Sequence, residues 1–161
     1  MAHEARTKDY FIQQATATLN EASRISPSYP PLFLARGVLL LLKASLQPPS
    51  KSATATHDPE RVDTLRQAMK CFEDALRSSN GKNMFATLGK ARVQFSLGKY
   101  GEALSLYQIV LERNPEMVDP DPRIGIGCCF WQLGYKEDAK LAWERALELV
   151  MHMFRHNVDY R

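Results

Sequence analysis

The chain has 161 residues, of which 45% are hydrophobic and 24% are charged, so it can bury one sizeable core. Its formal net charge is only +3, and Lys and Arg form no run, which gives no sign of a nucleic-acid-binding surface. The longest apolar run, Val38 to Leu42, is too short to cross a membrane, and the first residues lack the apolar stretch of a signal peptide. A soluble intracellular protein is therefore expected, with no membrane contact and no direct binding to nucleic acid.

Nine prolines separate long segments with helical periodicity, and no segment shows the alternation of a strand. Asp58-Pro59 and Asp121-Pro122 each predict an N-cap followed by proline at the first helical position, where the missing N–H costs nothing. Residues 47–57 (QPPSKSATATH) are polar and rich in Pro, Ser and Thr, which predicts a mobile loop. Seven helices are predicted, over residues 7–25, 31–46, 60–79, 83–97, 100–113, 122–133 and 135–150.

The second half of the chain repeats itself when it is shifted by 36 residues. The shift places Leu97-Gly98 on Leu133-Gly134 and Tyr107 on Trp143, and a shift of 35 places Phe72 on Tyr107. Repetition at this period indicates a stack of helix pairs, because one pair cannot bury its apolar face by itself.

These residues resemble the tetratricopeptide repeat, a helix–turn–helix unit of about 34 residues. The resemblance implies an all-α fold, a right-handed superhelical stack of about three and a half repeats built from the seven helices. The match spans about residues 10–149, and the stack is expected to cover residues 1–149, with 47–57 as an inserted loop. The match departs from the repeat in detail, since Thr87 replaces a bulky aromatic residue and Asn80 the closing proline. The residues expected to pack the repeats together are Gly37, Ala68, Phe72, Ala75, Ala91, Ala103, Tyr107, Gly127, Ala139, Trp143 and Ala146.

The last twelve residues, 150–161, depart from the repeat pattern. Their apolar side chains, Met151, Met153 and Phe154, could extend the last helix and cap its exposed face. The segment could also belong to a different protein joined on. We hypothesise a helical extension or cap.

In tetratricopeptide stacks the first helix of each unit lines a concave groove. By resemblance, the partner-binding groove here is formed by Leu34, Val38, Leu41, Phe85, Leu88, Arg92, Phe95, Ile124, Cys128 and Trp131. The helix from Leu32 to Leu42 is apolar nearly all round, which implies burial on every side. A partner protein, a further part of this chain, or a tight superhelix could provide that cover. The groove positions lack the clustered Lys, Arg and Asn needed to hold a free carboxylate, so an apolar or helical partner segment is expected.

No catalytic constellation can be singled out, and neither a cofactor nor a small-molecule substrate is expected. Cys128 and Cys129 are adjacent, so on a helix they point about 100° apart, which favours small core residues over a redox pair. His152 and His156 would share a helix face, but no third ligand has matching spacing, so no metal site is predicted. Gly125-x-Gly127 follows no strand, which disfavours a phosphate loop.

A closer similarity connects three stretches to one family, and it covers most of the chain up to about Leu149. The stretches are residues 31–45 (PLFLARGVLLLLKAS), 63–115 (from DTLRQ to LERNP) and 121–149 (DPRIGIGCCFWQLGYKEDAKLAWERALEL). They resemble the large tetratricopeptide subunits of the RNA polymerase II-associated factor (Paf) complex, a transcription-elongation complex. The similarity implies a fragment of a non-catalytic nuclear scaffold that assembles the other Paf subunits with the RNA polymerase II machinery and supports co-transcriptional histone modification on chromatin. The alternatives are a generic tetratricopeptide adaptor that binds an apolar or helical peptide outside transcription, and a nucleic-acid binder, which would need clustered basic residues.

Overall fold

The computed structural model describes residues 2–47 and 58–158, with side chains described over 7–47 and 58–155. Within these residues there are seven α-helices and no strand. The helices are α1 (Ala2–Ile25), α2 (Pro30–Leu46), α3 (Pro59–Ser78), α4 (Met84–Ser96), α5 (Tyr100–Arg113), α6 (Pro122–Leu133) and α7 (Lys136–Val158). The predicted all-α, tetratricopeptide-type stack is confirmed. Apart from Gln47, the predicted 47–57 loop lies outside the described residues.

Local capping explains why the helices begin and end where they do. The predicted caps are present, since Oδ1 of Asp58 accepts a hydrogen bond from the Glu60 N–H at 3.1 Å, and Oδ1 of Asp121 accepts one from the Arg123 N–H at 2.8 Å. At the other ends of α4 and α6, Gly98 and Gly134 take positive φ values of 77° and 91°. Glycine adopts this left-handed conformation without a Cβ penalty, so it ends a helix cleanly.

The order of helix contacts shows an open stack. Each helix packs against the next one along the chain, and the first helices of the units, α2, α4 and α6, also touch side by side. In the described part of the chain, α1 and α7 do not touch. The helices therefore form a row whose first helices share one side, and they do not close into a bundle.

Glycines allow the aromatic residue of each second helix to rest directly on a neighbouring backbone. The ring of Phe72 in α3 is fully buried between α2 and α4, where a Cβ built on Gly37 or Gly89 would lie 2.6 Å or 2.3 Å from it. A Cβ on Gly127 would likewise meet the Trp143 ring. Of the residues expected to pack the repeats, Trp143 is half-buried, and the remaining ten are buried. The helices in this stack therefore approach closely because glycine has no side chain at these contacts.

Within the described chain α2 is not buried on every side, so a tight superhelix does not provide the cover that its apolar sequence implied. Val38 and Leu42 are 55% and 49% exposed, because the neighbouring helices cover only part of the circumference of α2. The part of the chain described here supplies no further cover. The exposed side of α2 is thus an apolar surface open to solvent.

The segment after Leu149 continues α7 as a helix as far as Val158. Its large apolar side chains, Met151, Met153 and Phe154, are exposed. Met153 and Phe154 line a cavity of about 310 Å³ together with Val118 of the loop between α5 and α6. Residues 159–161 lie outside the described residues, and a capping role for 150–161 stays a prediction.

Candidate partner-binding groove

Side chains from three first helices converge on one concave surface, which we call the groove. It encloses about 580 Å³. Eight of the ten residues predicted for it line this cavity: Leu34, Val38, Leu41, Phe85, Leu88, Arg92, Ile124 and Cys128. The loop between α5 and α6 closes one end of the groove with residues 118–121. The stacking of α2, α4 and α6 therefore gathers residues as far apart in sequence as Leu34 and Cys128.

An apolar strip crosses the groove from unit to unit. Val38 on α2, Phe85 on α4 and Ile124 on α6 are each between 51% and 55% exposed, and all three line the same cavity. Contiguous exposed apolar surface of this kind usually marks a protein-interaction site, because single scattered apolar residues need no explanation but clustered ones do. The strip suits the apolar side of a partner segment.

The structure places Phe95 and Trp131 outside this cavity. Both lie near the C-terminal ends of their helices, whereas the groove uses the N-terminal parts of α4 and α6. There Phe95 packs edge-on against Tyr100 at 5.2 Å between ring centroids, and Trp131 lies 5.8 Å from Trp143. The rings of Phe95 and Trp131 therefore pack against the second helix of their own helix pairs.

Two polar side chains line the groove wall, those of Arg92 and Tyr107. The guanidinium of Arg92 lies 5.8 Å from the centroid of the Phe95 ring, a cation–π distance. Burial raises the pKa of Tyr107 to about 12, and the charge of Arg92 opposes part of that rise. The raised pKa extends to more alkaline pH the range in which the Tyr107 hydroxyl keeps its proton.

The loop end of the groove is acidic. Asp119 is exposed, whereas Asp121 is only 6% exposed and caps α6. Oδ1 of Asp121 also accepts a hydrogen bond from Nη1 of Arg123 at 3.2 Å. Oδ2 of Asp121 is buried and accepts no hydrogen bond within the described residues. Both aspartates line the groove.

The remaining candidate chemistry stays dispersed. Cys128 lines the groove, whereas Cys129 is fully buried. Burial, and to a smaller extent the charge of the neighbouring Cys128, raises the pKa of the Cys129 thiol to about 11. His152 is exposed, and the side chain of His156 lies outside the described ones. The described residues bring no three His, Cys, Asp or Glu side chains together as metal ligands, and no helix among them is long and apolar enough to span a bilayer.

Comparison with known proteins gives similarity over most of the chain, although no protein-family model matches it. Protein CTR9 homolog of Arabidopsis thaliana is 32% identical over 144 residues, and RNA polymerase-associated protein CTR9 of Saccharomyces cerevisiae is 30% identical over 146 residues. Each alignment covers 89% of this chain. The chain is homologous to a segment of CTR9 proteins. This confirms the closer similarity found in residues 31–45 and 121–149.

Tetratricopeptide repeat protein 1 of Schizosaccharomyces pombe is 47% identical over 92 residues, which are 57% of this chain. The chain spans only 9% to 12% of the length of these three relatives. Their names denote repeat proteins and polymerase-associated proteins, and none of the names denotes an enzyme. The CTR9 similarity thus runs through all three helix pairs that form the groove.

The sequence reasoning missed several residues that shape the groove. Gly89 and Gly125 form its floor, because Phe72 and Tyr107 of the preceding units rest on them. The signal was present, since the 36-residue shift places Gly89 on Gly125, but these glycines lie outside the consensus positions of the repeat. Asp121 was interpreted only as a helix cap, although its carboxylate also lines the groove.

Proposed function

We propose that the chain is a non-catalytic scaffold segment of the Paf transcription-elongation complex. It acts in the nucleus, takes up segments of partner subunits, and holds them beside RNA polymerase II in support of co-transcriptional histone modification. The support from similarity is that CTR9 proteins match 89% of the chain and that one of them is named RNA polymerase-associated. The observation that carries the proposal is the apolar groove, which three consecutive helix pairs leave open to solvent.

Binding in the groove would draw on the apolar strip. Full burial of a large apolar side chain contributes about 1.5–3 kcal/mol, so covering a half-exposed one contributes roughly half of that. Val38, Phe85 and Ile124 together would supply roughly 2–4 kcal/mol, which is enough for a few central residues to dominate affinity. An apolar face of a helix or an extended apolar segment is the partner that matches this surface.

A co-purification experiment with a groove variant tests the proposal. The double variant Val38→Asp and Ile124→Asp places two charges in the apolar strip at positions that are already exposed, so the fold should keep its Tm. Leu141→Asp is the matched control, because Leu141 is an exposed apolar residue on α7 away from the groove. With nuclear extract, the unmodified chain and the control should retain Paf subunits and RNA polymerase II, and the double variant should lose them.

The possible failures point to different errors. If the double variant retains the Paf subunits, the groove is not the binding surface. If the unmodified chain retains no polymerase-associated protein from nuclear extract but retains cytosolic ones through the groove, the generic adaptor outside transcription is favoured over the Paf assignment.

A further inference from the structure

The two aspartates at the loop end of the groove, Asp119 and Asp121, form what we call the acidic corner. Asp119 is exposed and forms no ion pair within the described residues. Asp121 pairs with the guanidinium of Arg123, but Arg123 also donates a hydrogen bond from Nη2 to the Pro115 carbonyl oxygen at 2.6 Å. Only the Asp121 carboxylate pairs with this guanidinium, so the acidic corner keeps a net negative charge at the edge of an apolar groove.

The second observation is the unsatisfied oxygen of Asp121. The side chain of Asp121 is fully buried and lines the groove, and its Oδ2 atom accepts no hydrogen bond within the described chain. A buried carboxylate oxygen without a donor is costly, so an incoming donor recovers free energy that the unoccupied groove has already lost. Most buried polar atoms in proteins have a partner, and this one belongs to a residue that lines the groove in which we propose that a partner binds.

The positive charge on the groove wall already makes contacts within the chain. Among the described residues that line the groove, Arg92 is the one cation, and it already lies over the Phe95 ring and acts on Tyr107. An acidic partner residue would therefore compete with contacts that Arg92 already makes. A basic partner residue would meet the Asp119 carboxylate, which forms no ion pair within the described residues, and the Oδ2 atom of Asp121, which accepts no hydrogen bond there.

We propose that the segment occupying the groove is apolar and carries one lysine or arginine side chain that pairs with Asp119 and Asp121. This inference rests on the proposed function and deepens it by naming the chemistry of the partner. Charge-assisted hydrogen bonds to carboxylates are the strong class of hydrogen bond, and they set orientation as well as affinity. The acidic corner lies at one end of the apolar strip, so the basic side chain also fixes the direction in which the segment lies.

A displayed library of random 16-residue peptides, selected on the full chain, tests this inference. Peptides that bind the chain but not the Val38→Asp, Ile124→Asp variant are defined as groove-dependent. These peptides should be enriched in lysine or arginine relative to the unselected library. In the best of them, replacing the basic residue with methionine should weaken binding to the unmodified chain about tenfold, and binding to Asp119→Asn by only about threefold, because the Asp121 carboxylate remains in that variant.

Glu116→Gln is the matched control for Asp119→Asn. It removes one negative charge from the same loop at an exposed position that does not line the groove. Replacing the basic residue of the peptide with methionine should therefore weaken binding to this variant about tenfold, as it does for the unmodified chain. Tm values measured for both variants separate altered binding from altered folding. Groove-dependent peptides without basic enrichment, or an equal methionine effect on Asp119→Asn, would overturn the inference and leave the apolar groove standing. If no peptide is groove-dependent, the proposed groove itself is overturned, and the inference with it.

Discussion

Replacing Gly89 with alanine tests whether Phe72 is held against the backbone of the next unit. The new Cβ would lie 2.3 Å from Cε1 and 2.5 Å from Cζ of the Phe72 ring, whereas carbon atoms pack at about 3.5–4.0 Å. The ring would have to retreat by roughly 1 Å. It cannot retreat towards α2 freely, because the same ring atoms already rest on Gly37.

The expected cost follows from two opposing effects. Overpacking a filled core costs about 1–3 kcal/mol. Alanine in place of glycine inside a helix returns up to about 1 kcal/mol through helix propensity. The free energy of unfolding of Gly89→Ala should therefore fall by up to about 2 kcal/mol, and by about 1–3 kcal/mol relative to a glycine-to-alanine change that causes no clash. The Tm should fall by up to roughly 8 °C for a chain of this size.

Urea unfolding followed by circular dichroism measures this change. Gly101→Ala is the matched control, since it lies in helix α5 and a Cβ there meets no atom within 4 Å. We expect the control to be unchanged or up to about 1 kcal/mol more stable. Adding Phe72→Leu to Gly89→Ala should cost less than the sum of the two single changes, because the smaller side chain relieves the clash. A Gly89→Ala protein as stable as Gly101→Ala would refute the shared-ring packing.

Three further predictions address capping, titration and the end of the chain. Asn83→Ala removes the hydrogen bond that Oδ1 accepts from the Ala86 N–H at 3.0 Å and should lower the free energy of unfolding by about 1 kcal/mol in urea; no measurable loss would contradict the cap. The thiol of Cys129 has its pKa raised to about 11 by burial, so the unfolded chain releases this proton first, and stability should fall as pH rises from about 9 to about 11, by up to about 2 kcal/mol. The stability of Cys129→Ala should fall less over that pH range, and a pH profile identical to that of the unmodified chain would contradict the raised pKa of the Cys129 thiol. Deleting 150–161 should lower Tm because it removes the α7 side of the cavity beside Val118, and an unchanged Tm would rule out the cap.

The helices and their pairing could be predicted because local physics encodes them. The caps at Asp58 and Asp121 and the glycines at the ends of α4 and α6 act within a few residues of their position. Even a departure from the repeat has a local reason, since Asn80, which stands where the repeat has proline, takes a φ of 51°. Proline cannot reach that φ value, whereas asparagine tolerates it.

The groove was only partly predictable, because a repeat pattern gives the face of a helix but not the depth along its axis. The pattern placed Phe95 and Trp131 on the same face as Ile124, yet the cavity lies nearer the helix N-termini. The exposure of Val38 could not be read from an apolar run either, since such a run does not specify what covers it. Long-range packing decided these cases.

The Phe72 ring has a consequence for how the stack comes apart. It belongs to α3, yet it rests both on Gly37 in α2 of its own unit and on Gly89 in α4 of the next. Losing either helix would expose part of a large aromatic side chain to water, so neither unit should melt independently at this boundary. Thermal disruption should therefore cross this boundary in a single cooperative step, and a protease should find no early cleavage point between α3 and α4.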